Sequence, residues 1–141
     1  MPAPDPVIAV LREWLAKADN DLKNATHTLT LGKEAPTDTV CFHAQQCVEK
    51  YIKALLVFRG TPFPQTHDIH GLRALLPPKL RPRLAKKVQN RLTDYATVLR
   101  YPGSGPDVPL AEARQAVAIA RQVRREVRKH LPPAALRRAR K

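Results

Sequence analysis

The chain has 141 residues, 43% of them hydrophobic and 26% charged, which predicts one soluble globular domain that needs no disulfide or metal for its core. No apolar run approaches the roughly 18 residues of a membrane span, and no export signal is visible, so we expect a cytoplasmic location without membrane contact. Lys and Arg number 25 against 12 Asp and Glu, a net charge of +13. This charge favours an anionic partner such as RNA, a nucleotide or an acidic protein, with a merely solvated surface as the alternative.

The N-terminal half contains two predicted long helices. Apolar residues recur at helical spacing over 7–31, and Gly32 and Pro36 end that run. A second amphipathic helix is predicted over 37–59, ended by Gly60. The proline-containing loop "TPFPQTH" follows it.

The C-terminal half continues the helical pattern. A short helix is expected at 68–76, and a third long helix begins near Pro82, which suits a first helical turn, and extends to Leu99. The last long helix spans 109–131, and residues 132–141 read as a loose basic tail. No segment alternates as a strand would, so the predicted fold is an all-α, antiparallel up-and-down bundle of four long helices and one short one. The predicted domain is 1–131.

Positive charge is concentrated in two segments. Residues 121–141 hold nine Lys or Arg against Glu126, and residues 78–100 hold seven against Asp94. The rest of the chain is close to neutral. We therefore expect both basic segments to contribute to the binding of an anionic partner.

The segment "CFHAQQCVEKYIKALLVFRG", residues 41–60, has a complete apolar stripe on one side. His43, Gln46 and Lys50 lie along its edge, and Glu49 and Lys53 fall on the polar arc. Phe42, Ile52 and Leu56 are placed away from the core stripe, which predicts a second apolar surface and a homodimer. Cys41 and Cys47 point in different directions on such a helix and are read as buried, reduced side chains.

The same segment resembles the HEPN domain family (higher eukaryote and prokaryote nucleotide-binding). The matching positions are His43, Gln45, Gln46, Glu49, Lys50, Lys53, Ala54, Leu55, Gly60, Thr66 and His67. A later "LRYP", residues 99–102, resembles the Arg-Tyr-Pro motif of the family. The likeness extends over about residues 10–130.

The resemblance implies a helical bundle that forms a homodimer and is encoded beside a small nucleotidyltransferase, often as a toxin–antitoxin pair. It makes His43, Gln46, Lys50, His67, Arg100 and Tyr101 the candidates for contact with nucleotide or RNA. For His43 and Gln46 the alternative is a structural role, in which they hydrogen-bond the loop at Thr66 and His67. Some members of the family are scaffolds without catalysis.

Other members are metal-independent ribonucleases, whose active site has an Arg followed four to six residues later by a His. Here only Arg125 and Arg124 precede a histidine, His130, at that spacing. His130 would move the 2′-hydroxyl proton while the arginine holds the phosphate. Such pairs arise by chance in a chain this rich in Arg, and on one continuous helix Arg125 and His130 would diverge, so we do not favour catalysis. Neither a metal site nor a cofactor is predicted, although His67 and His70 are three residues apart.

Overall fold

The computed structural model describes residues 5–137, which fold into helices without a strand among them. The helices are α1 (Asp5–Thr28), α2 (Thr37–Phe58), α3 (Ile69–Ala74), α4 (Lys86–Ala96), α5 (Leu110–Arg128) and α6 (Pro133–Leu136). Short 3-10 turns at Leu29–Glu34, Pro78–Leu80 and Val98–Arg100 connect them. The predicted all-α class with four long helices is confirmed.

Contacts between the long helices establish the up-and-down arrangement. Asp21 of α1 contacts His43 of α2, whereas Asp19, earlier on α1, contacts Tyr51, later on α2. The two helices are therefore antiparallel. Tyr95 near the end of α4 likewise hydrogen-bonds Glu112 near the start of α5. The central helix α2 packs against α1, α4 and α5, and α3 covers part of it.

Burial on α2 extends well beyond one stripe. Ile52 and Leu56 have no exposed surface, and Phe42 is partly buried beneath the guanidinium of Arg100, which lies 4.0 Å from the ring centroid. The predicted exposed apolar strip is therefore wrong, because neighbours of the same chain surround α2. The exposed apolar strip was the sequence-based reason to expect a homodimer, and this reason no longer holds.

The end of α2 follows from Gly60. This residue has φ +69°, a left-handed conformation that glycine adopts without steric cost. The amide of Thr61 donates to the Leu56 carbonyl (2.9 Å), and the amide of Gly60 donates to that of Val57 (3.0 Å). These two bonds form a Schellman cap, which satisfies carbonyls at the helix end and turns the chain into the loop.

The start of α4 differs from the prediction. Pro82 lies in extended chain, and α4 begins four residues later, at Lys86. Side chains occupy the carbonyls that an earlier helix would use: Arg73 donates to that of Pro82 (2.8 Å), and Gln89 donates to that of Leu84 (2.6 Å). Tertiary hydrogen bonds therefore replace the first predicted turn.

The chain after α5 remains packed over residues 133–136, where a loose tail was expected. Ala135 is buried, and the guanidinium of Arg12 on α1 donates to the carbonyl of Ala134 from Nε (3.1 Å) and Nη2 (2.9 Å). This bidentate contact holds α6 against α1. The last four residues of the predicted tail, 138–141, lie outside the described part of the chain.

Both cysteines are buried and unpaired with each other, as expected. Burial raises the pKa of Cys41 to about 12, so its thiol stays protonated and unreactive. Across residues 5–137, no helix is long and apolar enough to cross a membrane. In the same range no three His, Cys, Asp or Glu side chains are grouped as metal ligands would be.

Candidate functional site

His43 and Lys50 meet at one carboxylate, that of Asp21 on α1. His43 Nδ1 lies 2.8 Å from Asp21 Oδ1, and the Lys50 ammonium donates to Asp21 Oδ2. Asp21 is almost buried, so a lone carboxylate would be costly there, and the two partners offset that cost. His43 and Lys50 of the predicted edge row are thus joined to α1 by a polar clamp, and His43 hydrogen-bonds Asp21 in place of the loop at Thr66 and His67.

Gln46 and His67 belong to a second polar cluster. Gln46 donates to Gln45 Oε1 (2.7 Å), and Gln45 donates to Glu49 (3.0 Å) and to the His67 carbonyl (3.3 Å). His67 Nδ1 lies 2.8 Å from Glu49 Oε1, and Lys53 donates to Glu49 Oε2 (2.9 Å). Gln45 is therefore the glutamine that ties α2 to the loop, with Gln46 behind it.

Glu49 and Lys53 are buried, although helical spacing placed them on the polar arc. Burial acts to raise the pKa of Glu49, but hydrogen bonds from Lys53, Gln45 and His67 outweigh it, and the pKa is lowered below its usual 4.5. Glu49 therefore stays ionised at neutral pH and holds the loop onto α2.

Arg100 and Tyr101 occupy a different place, beside the start of α2. Arg100 stacks on Phe42, whose ring centroid is 5.4 Å from that of His43. Tyr101 is 67% exposed and lines a small cleft formed by the loop 99–108. The six predicted contact residues thus fall into three groups: one on Asp21, one around Glu49 and one at this loop.

The ribonuclease-type residues lie at the end of α5. Arg125 and His130 are both exposed, and within residues 5–137 neither forms a side-chain hydrogen bond or ion pair. The helix ends at Arg128, and the His130 amide donates to the Val127 carbonyl in a turn (2.9 Å). The expectation of one continuous helix through His130 is therefore wrong. Arg124, the other candidate, is held by Asp19 through a 3.0 Å hydrogen bond.

Sequence reasoning missed a cleft of about 470 Å³ between α1 and α5, which we call the α1–α5 cleft. Three basic residues lie on its walls, Lys23, Arg121 and Arg124, together with His27, and Asp19 is the one acidic residue there. Its remaining lining residues are Leu22, Thr26 and Thr30. This balance of charge suits a ligand with several negative charges.

A second cleft of about 510 Å³ continues from the first, because Asp19 and Lys23 line both. We call it the α1–α6 cleft. It adds the basic residues Arg12, Arg128 and Arg137 and no further acidic one. A helical-spacing signal was present in the sequence: Asp19, Lys23 and Thr26 share one side of α1, and Arg121, Arg124 and Arg128 share one side of α5.

Comparison with known proteins gives a family and a fold. The model of the HEPN domain family matches residues 11–130. The crystal structure of TT1696 from Thermus thermophilus is similar at 29% identity and a TM-score of 0.70, over 86% of this chain and 98% of that one. The structure of ST0689, described as an archaeal HEPN homologue, shares the fold at 24% identity and a TM-score of 0.63, over 85% and 96%. No curated protein matches significantly.

We expect Glu49→Gln to destabilise the fold by roughly 3 to 5 kcal/mol at neutral pH, because it leaves the buried Lys53 ammonium without its counter-charge. A lowered pKa in the folded state contributes stability above the unfolded value, and that contribution is lost as the pH falls through the folded value. The difference from the parent protein should therefore shrink below pH 4.5, the usual value for glutamate. Urea unfolding at several pH values measures both.

Glu34→Gln is the matched control, since Glu34 is exposed and the same charge is removed. Its effect should be close to zero at every pH. A Glu49→Gln protein as stable as the parent, or one whose deficit does not change with pH, would contradict the role of this ion pair.

Proposed function

Because the chain belongs to the HEPN domain family, we propose that it binds nucleotide or RNA and acts with a small nucleotidyltransferase, as a toxin–antitoxin component. The observation that supports binding most directly is the α1–α5 cleft together with its continuation along α6. Their combined walls carry Arg or Lys at six positions and a carboxylate only at Asp19. Phosphate groups are the biological anions that arginine binds best, through its planar set of donors.

Asp19 holds a side chain that lines the α1–α5 cleft. The cleft stays positively charged, because its three basic residues outnumber this one carboxylate. Asp19 accepts hydrogen bonds from the Tyr51 hydroxyl and from Arg124, which fixes the guanidinium of this cleft-lining residue. Arg121 is similarly placed by a 3.1 Å hydrogen bond to the hydroxyl of Thr26. Two guanidinium groups held in this way lose less side-chain freedom when a phosphate binds than two mobile side chains would.

The other basic segment, 78–100, is less suited to this role. Arg83 pairs with Glu126 (3.1 Å), and Arg91 pairs with Glu112 (2.7 Å). Arg81 donates to the carbonyls of Leu76 and Ala74. These contacts engage three of the seven basic residues of the segment within the fold. We place the binding surface on α1, α5 and α6, because basic residues distant in the sequence line common clefts there.

We expect RNA binding to weaken with salt through the release of counterions. About three or four phosphate contacts on a single strand would give a slope of roughly −2 to −3 in log K against log salt. The double variant Lys23→Ala, Arg121→Ala should bind more weakly and lower the magnitude of that slope by about 1.4. Fluorescence anisotropy of a labelled oligoribonucleotide over a salt series measures this.

Lys86→Ala, Lys87→Ala is the control, because it removes the same charge from exposed positions on α4. Its slope should match that of the parent. Equal losses in the two double variants would mean that net charge alone drives association, and absence of binding at low salt would contradict the RNA-binding part of the proposal.

The partner and the oligomeric state are proposed on the family resemblance. We expect the protein alone to sediment with about twice the mass of its chain and to co-purify with a nucleotidyltransferase encoded beside it, when the two are co-expressed. A clean monomer would contradict the homodimer. Separate elution of the two proteins would contradict the partnership.

A ribonuclease is the competing candidate, favoured by the position of Arg125 and His130 at the end of α5, the helix that carries Arg124 and Arg128 into the clefts. We nevertheless expect no cleavage of total RNA in the presence of EDTA, because no described residue orients either side chain. Parent protein and His130→Ala should give identical electrophoresis patterns. Cleavage by the parent that disappears in His130→Ala, with unchanged helical circular dichroism, would establish the enzyme.

A further inference from the structure

A third cleft, of about 560 Å³, lies on the other side of α1, and we call it the tryptophan cleft. Its walls are formed by Glu13, Trp14, Ala16, Lys17 and Lys50. Trp14 is partly buried and is held edge-to-face against Phe63, with ring centroids 6.2 Å apart and planes at 73°. Lys53 lies 5.6 Å from the centroid of Phe63. The indole is therefore held against Phe63 and lines an open cleft together with Lys17 and Lys50.

This cleft adjoins the basic ones. Ala16 lines both the tryptophan cleft and the α1–α6 cleft, which in turn shares Asp19 and Lys23 with the α1–α5 cleft. A basic path thus leads from α5 to the exposed side of α1 and ends beside an aromatic ring. The distance across a helix with its side chains is about 10–12 Å, which a short strand can cross.

We propose that single-stranded RNA crosses α1, with its phosphates in the α1–α5 and α1–α6 clefts and one of its bases stacked in the tryptophan cleft. Lys17, exposed on α1 and lining the same cleft, is the residue to contact a phosphate next to this base, whereas Lys50 forms part of the wall and stays paired with Asp21. The proposal rests on the RNA-binding function proposed above and narrows it to one kind of RNA. Aromatic stacking with a basic path beside it is how proteins hold unpaired strands without reading their sequence.

The combination of basic clefts with an adjoining aromatic ring distinguishes single-stranded RNA from other anionic ligands. A base inside a duplex is stacked on its neighbours and is not available to an indole, so duplex RNA would use the basic clefts alone. A mononucleotide would fill one cleft and leave the others empty. Inorganic polyphosphate would satisfy the cations and leave Trp14 untouched. Only an unpaired strand engages all three clefts.

Trp14 is the single tryptophan of the chain, so its fluorescence reports on this cleft without labelling. We expect a short oligouridine or oligoadenosine to quench it, with the same midpoint as binding measured by anisotropy. Polyphosphate and duplex RNA should displace the labelled strand and leave the emission unchanged. The unmodified protein serves for all of these measurements, so none depends on a variant that folds.

Trp14→Leu should weaken single-strand binding about 5- to 150-fold, the usual range for the loss of one stacked base, while polyphosphate binding stays at the parent level. Trp14→Phe keeps an aromatic ring and should recover part of the affinity. Lys17→Ala should also weaken binding and reduce its dependence on salt. Thermal melting followed by circular dichroism verifies the fold of each variant.

The possible outcomes distinguish failure of the strand path across α1 from failure of the proposed RNA binding. RNA that binds by anisotropy with unchanged Trp14 emission would overturn the strand path across α1 and leave the proposed function standing. Quenching by polyphosphate equal to that by RNA would also overturn it, because no base is present to stack. Absence of RNA binding by any measure would overturn the strand path and also the RNA-binding part of the proposed function.

Discussion

The arrangement of the bundle depends on how α2 is enclosed. Neighbours of the same chain cover much of this helix, so its buried and half-buried polar side chains need partners from other segments. Asp21 of α1 supplies one for His43 and Lys50, and the loop at His67 supplies another for Glu49. Within the described residues, no buried side-chain nitrogen or oxygen is left without a hydrogen bond. The polar residues that characterise the family motif thus connect the helices to one another.

The packing around α2 changes how the polar residues of the family motif are interpreted. His43, Gln46 and Lys50 look like a ligand-binding edge in the sequence, yet each is hydrogen-bonded within the bundle. The structural alternative for His43 and Gln46 therefore accounts for their contacts, although through Asp21 and Gln45 in place of a direct bond to the loop. The clefts whose lining residues are mainly basic lie instead around α1, where residues of α5 and of the segment around α6 contribute positive charge.

The helix α1 is the element on which the two proposals meet. One of its sides faces the arginines of α5, and another carries Trp14 and Lys17 next to Lys50 of α2. The contacts of Asp19 with Arg124 and of Asp21 with Lys50 hold these two sides in place relative to α5 and α2. A polar network that satisfies the interior thereby also orients the cations that line the clefts.

The sequence by itself determined the helical class, the approximate helix bounds and the family, because apolar periodicity and residues such as Gly60 act locally along the chain. It did not determine which polar residues would be buried: Glu49 and Lys53 look solvated on a helical wheel, and only the packing of the loop that carries His67 and Phe63 encloses them. Side-chain hydrogen bonds to the carbonyls of Pro82 and Leu84 likewise accompany the later start of α4, and a tertiary one attaches α6 to α1. The clefts could not be predicted for the same reason, since Lys23, Arg121 and Trp14 become parts of one surface only when distant helices pack together.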